Sequence, residues 1–590
     1  MHVNAARPGA VSPVARTLPL PGFLGLIFFS VLLLAPAFAA VIETDEPLQD
    51  RLQACAFSLV IWLLWLALWG RAYWACLAAL PLMLAVPVLL YLLLTYHAQP
   101  TAAVIGIIAD TNLHESAEFL RGLWLPIFVG YAILACLAVV SLRLMHRYRL
   151  IWTHRSRYWV LILVPLSWGG LYWLYQQQEL STTEFRPYPD PFRVPSQPLA
   201  VEYLRNALPF GVLLQFGDYL SGERNVAKAE RALVGFQFGS KQSPGTNMRQ
   251  VFVLVIGESA RRDRWSLYGY SRATSPLLQQ QPNLVAYQDV ITMATATRVS
   301  VPVMLTRRTA EQAKDSSFHE RSLISAFHEA GFSTYWLSTQ APLGAFDAPI
   351  AVNARESDHV AYFNGSGAWG LTPPDGVLLE PLKRALAQSA EPRQLIILHT
   401  LGSHYDYRYR YPHAFERFKP APSPEDAVDM HDDVFREKLH NAYDNSILYT
   451  DYFISQVIAA VSQSDRPVAT VLYLSDHGED VFDKDCGEVF RGRSTPISFR
   501  IPLFMWYSDG YRRAYPRKIE MLEQHRLQPL TTRAVFPTML DAADVHFAGE
   551  DLSGSVMSEK FETKPRTVST FNGVVDFDHA RFTSMCKFDN

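Results

Sequence analysis

The chain has 590 residues, 49% of them hydrophobic and 18% charged, with a formal net charge of −3. It is too long for a single typical domain, and so small an acidic excess gives no reason to expect a nucleic-acid partner. Five cysteines form neither a dense disulfide framework nor a zinc-ribbon spacing.

Composition divides the chain into a transmembrane domain (1–175), a bridging region of helices and linker (176–247) and a soluble outer domain (248–590). In the first part, five stretches are apolar enough to cross a bilayer, which needs about 20 residues. They are 23–42, 54–70, 74–96, 123–144 and 158–175. Arg143, Arg147, Arg149, Arg155 and Arg157 cluster around the loop between the fourth and fifth stretches, and Arg71 follows the second. The loop after the first instead carries Glu43, Asp45, Glu46 and Asp50 against Arg51. By the positive-inside rule the arginine-bearing loops face the cytoplasm, so five spans place everything after residue 175 outside. Reading the first span as a signal peptide cleaved near Ala37-Phe38-Ala39 leaves that topology unchanged. The loop 97–121 contains Thr111 and Glu115; it either lies along the outer bilayer surface against a lipid head group or is simply solvated.

The bridging region opens with Pro187, Pro189, Pro191 and Pro195, which favour extended chain, and then reads as helical over 199–213 and 227–234. In the outer domain, strand-like apolar runs (251–256, 333–338, 360–363, 395–398, 468–474, 501–506 and 567–571) alternate with helical patterns (323–330, 378–389, 441–461 and 532–543). That alternation predicts a three-layer α/β sandwich around a mostly parallel sheet. Cys486 and Cys586 are the two cysteines outside the apolar spans, and they are expected to pair in an oxidising compartment.

The run 251–256 stops at Gly257-Glu258-Ser259, and 468–474 stops at Ser475-Asp476-His477-Gly478-Glu479. Between them, Thr295-Ala296-Thr297 offers hydroxyls ahead of Ser300-Val301-Pro302. In open α/β sheets ligands collect at the carboxyl ends of the strands. Carboxylates, an imidazole and a hydroxyl gathered there could surround one Zn2+, which accepts this donor set and stabilises an alkoxide at neutral pH. A third run, 395–398, ends at His399 and continues to Gly402-Ser403-His404. Tyr405, Tyr407, Tyr409 and Tyr411, interleaved with Arg408 and Arg410, either face lipid or sugar or form a surface strand.

The motifs GESARRDRWSLYGY, TATRVSVP, LHTLGSH and LSDHGED, in this order after a membrane domain, resemble the phosphoethanolamine transferases. These are membrane-bound members of the alkaline phosphatase and sulfatase superfamily. The resemblance implies a sulfatase-type outer domain in the periplasm of a multi-pass inner-membrane protein. It implies at least one Zn2+ on Glu258, Asp476, His477 and Thr297, with Thr297 rather than Thr295 as nucleophile because it precedes x-x-S-V-P. The implied donor is phosphatidylethanolamine and the implied acceptor lipopolysaccharide, on a core sugar or lipid A. His404 and His399 take substrate- or phosphate-binding roles, and Thr111 and Glu115 a lipid-binding one; a buried, hydrogen-bonded histidine is an equal reading of His399. Where the family has a further histidine, Arg491 or Arg493 could hold phosphate in its place, as guanidinium forks do. Met293 and Val303 stand where the colistin-resistance branch has cysteines, the stretch 338–348 lacks that branch's S-G-C-K, and Val489-Phe490-Arg491-Gly492 replaces its Y-L-H-G. These departures place the chain nearer the branch that modifies lipopolysaccharide core, and leave the second metal and the acceptor open. The rival readings are a phosphoglycerol transferase of the same fold and an inactive membrane scaffold or sensor.

Overall fold

The computed structural model describes residues 20–43, 48–96, 100, 105, 124–181, 204–243, 248–313, 318–340, 348–364, 373–388, 390–423, 426, 433–483, 489–490, 495–570, 573–580, 582–584 and 587–588. Thr111, Glu115, Arg491, Arg493, Cys486 and Cys586 lie outside these residues.

Six helices occupy the apolar third: α1 (Leu20–Glu43), α2 (Leu48–Trp69), α3 (Ala72–Ala78), α4 (Leu80–Tyr96), α5 (Trp124–Arg147) and α6 (Ser156–Ser181). Among the described residues, segments of α1, α2 and α5 are long and apolar enough to span a membrane, and α3 with α4 form a pair bent by 57° that is either a fourth, broken span or a re-entrant loop. The expected third span (74–96) is thus broken at Ala79. Pro81 follows at once, and it has no amide proton for the carbonyl one turn back. Helix α6 covers the fifth expected stretch, yet three or four spans, not five, are established by length and composition. The bundle packs Phe29, Leu33, Trp62, Met83 and Met145 inside, and leaves Ile27, Phe28, Leu84, Ile133 and Leu166 on its outer surface. The Trp62 indole N–H donates to Ser30 Oγ at 2.8 Å. Arg157 donates to the carbonyls of Ala67 and Leu68, satisfying the end of α2.

In the bridging region residues 204–206 are helical within the expected 199–213, and α7 (Gly211–Ala232) starts sixteen residues before the expected 227. A helix continuous with 199–213 is excluded by Pro209, so regular structure restarts just after it. Val226 and Leu233 pack with Ala351 and Val352 of the outer domain, and Arg355 pairs with Glu223 at 2.6 Å.

The outer domain is built on a seven-stranded sheet: β1 (Gln250–Gly257), β2 (Leu284–Ala286), β3 (Ser333–Ser338), β4 (His359–Tyr362), β5 (Arg393–His399), β6 (Val468–Ser475) and β7 (Leu503–Tyr507). Their order across the sheet is β2-β7-β6-β1-β5-β3-β4. The pairs β6–β1, β1–β5, β5–β3 and β3–β4 are parallel, and β7 runs antiparallel to β6 and β2. Alternation along β1 divides its side chains between two cores. Phe252, Leu254 and Ile256 join one with Phe327 and Met539, while Val251, Val253 and Val255 join the other with Ile447 and Val457. Both sheet faces are therefore covered by helices, which is why the central strands are apolar without interruption. Two strands depart from the sequence reading here: one, expected as a strand, pairs elsewhere, and one was not predicted. The run 567–571 is not in the sheet: Thr567–Thr570 forms a hairpin with Gly573–Asp576, closed by the Thr570 hydroxyl on the Gly573 carbonyl. The edge strand β2 went unseen because three residues carry too little pattern.

Candidate metal centre

The centre lies where β1 and β6, adjacent and parallel, end together. The two strands stay in register to Gly257 and Ser475, so Glu258 and Asp476 leave the sheet side by side. The Asp476 amide donates to the Gly257 carbonyl at 3.0 Å, and the Ser259 amide donates to Asp476 Oδ1 at 3.0 Å. Ser259 takes a left-handed conformation (φ 56°), and its hydroxyl donates to Glu258 Oε1 at 2.8 Å.

Thr297 opens α8 (Thr297–Leu305), whose amino end carries the positive pole of the helix and favours an anion. Its hydroxyl donates to Glu258 Oε2 at 3.0 Å and lies 3.2 Å from His477 Nε2. Ser300, one turn on, donates to the Asp476 carbonyl at 2.6 Å and ties α8 to the end of β6. His477 Nδ1 faces the Gly478 carbonyl at 2.8 Å, so Nδ1 carries the proton and the Nε2 lone pair points at the carboxylates.

Glu258, Asp476 and His477 are all about 1% exposed or less, and their ligand atoms lie within 4.8 Å of one another. Asp476 Oδ2 is buried with no hydrogen-bond donor. Burial, then the Glu258 carboxylate, pushes the Asp476 carboxyl far above its usual range. Two buried carboxylates, a lone-pair nitrogen and a hydroxyl make an oxygen–nitrogen donor set of net negative charge, and this set fits Zn2+.

The remaining motif residues build the walls. Arg261 is fully buried and bridges Asp263 and Asp483, each at 2.6 Å, so GESARRD and the loop after β6 are clamped together. Glu479 accepts from the Tyr407 hydroxyl at 2.9 Å. Tyr407 and Tyr411 are buried in the core and Arg410 is buried with them, while Tyr405, Arg408 and Tyr409 stay half-exposed; residues 407–409 form a single 3-10 turn, so the segment is not a surface strand. Gly402 has φ 49°, and a Cβ there would sit 2.8 Å from the backbone N and O of Glu258. The Gly402-Ser403 turn needs that bare approach, because the Ser403 amide donates to the Glu258 carbonyl at 2.9 Å. Buried Asp375 accepts from the amides of Leu401 and Gly402, pinning the turn from behind.

His404 follows this turn, half-buried, with Nδ1 against the Tyr405 carbonyl. His399 ends β5, buried against Trp336 and 3.2 Å from Ser338 Oγ; burial pushes its pKa down to about 4. This is the geometry of a neutral core histidine. Met293 and Val303 share one buried apolar cluster. Sequence reasoning missed Gln340, whose side-chain amide donates to Glu258 Oε2 at 3.0 Å and to the Thr400 carbonyl at 2.9 Å. A lone glutamine 82 residues from its partner leaves no mark in sequence.

A profile of the sulfatase family matches residues 250–545. Phosphoethanolamine transferase EptC of Escherichia coli (strain K12) is 27% identical over 506 residues, covering 82% of this chain and 82% of that protein. Kdo(2)-lipid A phosphoethanolamine 7''-transferase of the same strain is 32% identical over 265 residues, 44% of each chain. The crystal structure of the C-terminal periplasmic domain of EcEptC from Escherichia coli, in complex with Zn, superposes with a TM-score of 0.52 at 28% identity, covering 59% of this chain and 97% of that one.

Proposed function

Because the chain belongs to the sulfatase family, whose profile spans half of it, we propose that it is a zinc-dependent phosphoethanolamine transferase of the bacterial inner membrane. Its outer domain works in the periplasm, taking phosphoethanolamine from phosphatidylethanolamine and passing it to lipopolysaccharide, on a core sugar or lipid A. The names of its relatives and the apolar helices ahead of the outer domain support this reading. The observation that carries the mechanism is the Thr297 hydroxyl, which donates to Glu258 and faces the His477 Nε2 lone pair at the mouth of a buried anionic donor set.

Glu258, Asp476, His477 and Thr297 would hold the Zn2+, which supplies a positive charge that favours the threonine alkoxide and offsets the phosphodiester's charge. In the resting geometry Glu258 Oε2 accepts the hydrogen bond of the Thr297 hydroxyl and is placed to take its proton as Oγ attacks. Thr297 Oγ attacks the donor phosphorus; a bond from Oγ to phosphorus forms and the bond to the diacylglycerol oxygen breaks, that oxygen leaving with the proton. The phosphoryl oxygens meet the amino end of α8. An acceptor oxygen then attacks the phosphothreonine in line, its proton returns to Thr297, and the free enzyme is restored. Ser300 and Gln340 keep the hydroxyl and the carboxylate in register throughout.

Incubating the protein with phosphatidylethanolamine and mapping peptides by mass spectrometry tests this. A phosphoethanolamine adduct is expected on Thr297, lost in Thr297→Ala and partly kept in Thr297→Ser. An adduct on Thr295, or a phosphoglycerol adduct formed from another lipid in its place, would overturn the assignment. Lipopolysaccharide from cells with and without the gene should differ by the same added group.

A further inference from the structure

A cleft of about 300 Å3 lies away from the metal centre, at the opposite end of α8. Thr306 and Arg307, just past that helix, form one wall, and Met293, four residues before Thr297, lines another part. A helix of nine residues puts roughly 13 Å between the reacting hydroxyl and this wall. The volume is at the small end of ligand pockets, which run from about 300 to 1,000 Å3.

The lining decides what fits. Phe536 is buried at the base, and Phe547 and Phe561 stand half-exposed beside it. Flat aromatic faces of this kind pack against the C–H faces of a sugar ring. The charged groups of the wall are already paired: Arg307 with Glu320 at 2.8 Å, Lys564 with Asp551 at 2.8 Å, and Arg566 with Asp289 at 2.8 Å. At the mouth, Arg533, Glu311 and Glu562 again carry both signs. Such a wall sets fixed donors and acceptors beside apolar lining from Leu530, Pro537, Leu540 and Leu552, with no field of one sign. A phosphate or an ammonium group gains little there, and an acyl chain would bury ion pairs against hydrocarbon. A neutral polyol satisfies both the rings and the paired charges.

We propose that this cleft is a saccharide-binding subsite that holds a sugar of the acceptor while its reacting group is at Thr297. That the sugar belongs to the acceptor rests on the transferase reading; the binding chemistry does not. The cleft also touches both ends of the segment carrying the nucleophile. The Ser569 amide donates to the Met293 carbonyl at 2.8 Å, and the Thr532 hydroxyl accepts from the Met293 amide at 3.2 Å.

The test uses the zinc-loaded full chain in detergent, with glucose, galactose and lactose as probes in saturation-transfer NMR, and inorganic phosphate as competitor. Millimolar binding that phosphate does not displace is expected, weakened at least about fivefold in Phe561→Ala and in the mouth-filling Glu562→Trp. Zinc content and formation of the phosphoethanolamine adduct should stay at wild-type levels in both variants, which shows that they fold. The KM for a glycolipid acceptor should rise severalfold in both, with kcat little changed. No sugar binding, binding that the variants leave intact, or displacement by phosphate overturns the subsite. Sugar binding lost in the variants while the acceptor KM stays constant overturns its place in the acceptor site. Failure of the adduct in the wild type would fall on the transferase reading alone.

Discussion

The two halves of this chain bury opposite things. In the helical bundle, large apolar side chains such as Phe28, Leu84 and Leu166 are more than half exposed, and the interior is held by packing with few polar contacts. In the outer domain the apolar side chains are inside. Glu258, Arg261, Asp476 and Glu479 are buried together at the carboxyl edge of the sheet, whereas Arg466, buried at its amino edge, is satisfied by the carbonyls of Gln388 and Glu391. Each half is ordinary for its own solvent: hydrocarbon accepts apolar surface, whereas water demands that charges be exposed or paired. The contrast therefore marks the site. A fold tolerates two adjacent buried carboxylates only where a cation or a reaction gains from them.

The largest effect that tests this contrast is removal of one of those charges. Asp476→Ala should lose stoichiometric zinc by elemental analysis and lower transfer on the order of 10³-fold or more, since several kcal/mol of charge stabilisation go with the metal. Full zinc and activity in this variant would mean that the buried acids are merely structural.

A smaller effect separates the neutral buried histidine from the charged cluster. The folded pKa of His399 is held at about 4 by burial, below its ordinary value near 6.5. Its contribution is present above pH 6.5 and is lost as pH falls through about 4, because the unfolded chain takes up the proton first. The shift corresponds to about 3 kcal/mol. His399→Asn should flatten the fall in melting temperature between pH 6.5 and 4 relative to wild type. It should not abolish that fall, since burial also lowers the pKa of His440 to about 4. Parallel pH–Tm curves for the two proteins would remove His399 from the acid response.

Smaller again is the loss of a positioning contact. Gln340→Ala takes one amide donor from Glu258 and should weaken zinc binding about 10–100-fold, read by competition with a chelator, with the fold intact. Gln340→Glu should do worse, because it sets a like charge against the carboxylate. An unchanged zinc affinity in the alanine variant would show that Thr297 and Ser259 orient Glu258 without it.

The smallest effect belongs to the bundle. Ser30→Ala removes the Trp62 indole's acceptor and should cost about 0.6 kcal/mol, within the range of interhelical hydrogen bonds in membranes. A loss several times larger, measured by unfolding in detergent, would mean that polar contacts dominate there too.

Local pattern was enough to predict the strands around the centre and the residues that end them. A strand buried on both faces must be apolar throughout, so 251–256 and 468–474 stand out, and Glu258 and Asp476-His477 mark where they stop. The broken third span was less legible: hydropathy adds up apolar residues and does not register the hydrogen bond that Pro81 removes. Tyr407, Arg410 and Tyr411 looked like surface because alternating aromatic and basic residues carry no record of what covers them. Their burial follows from packing beneath α9 (Arg436–Ser462), the long helix over that face, where Tyr407 stacks edge-on against Tyr443 at 5.0 Å.

What the sequence determined by itself is the division into an apolar helical part and an α/β domain, and the identity of the groups that end β1 and β6. Both follow from periodicity and composition, which act over a few neighbouring residues. What only the tertiary structure decided is which of those groups meet. Adjacent parallel strands in register bring residues 258 and 476 together, α8 delivers Thr297 to them, and β3 sends Gln340 to the same oxygen. The cleft beyond α8 belongs to the same class, since its rings and charges come from segments far apart in the chain. Such contacts arise from long-range packing, and no local pattern encodes a partner tens or hundreds of residues away.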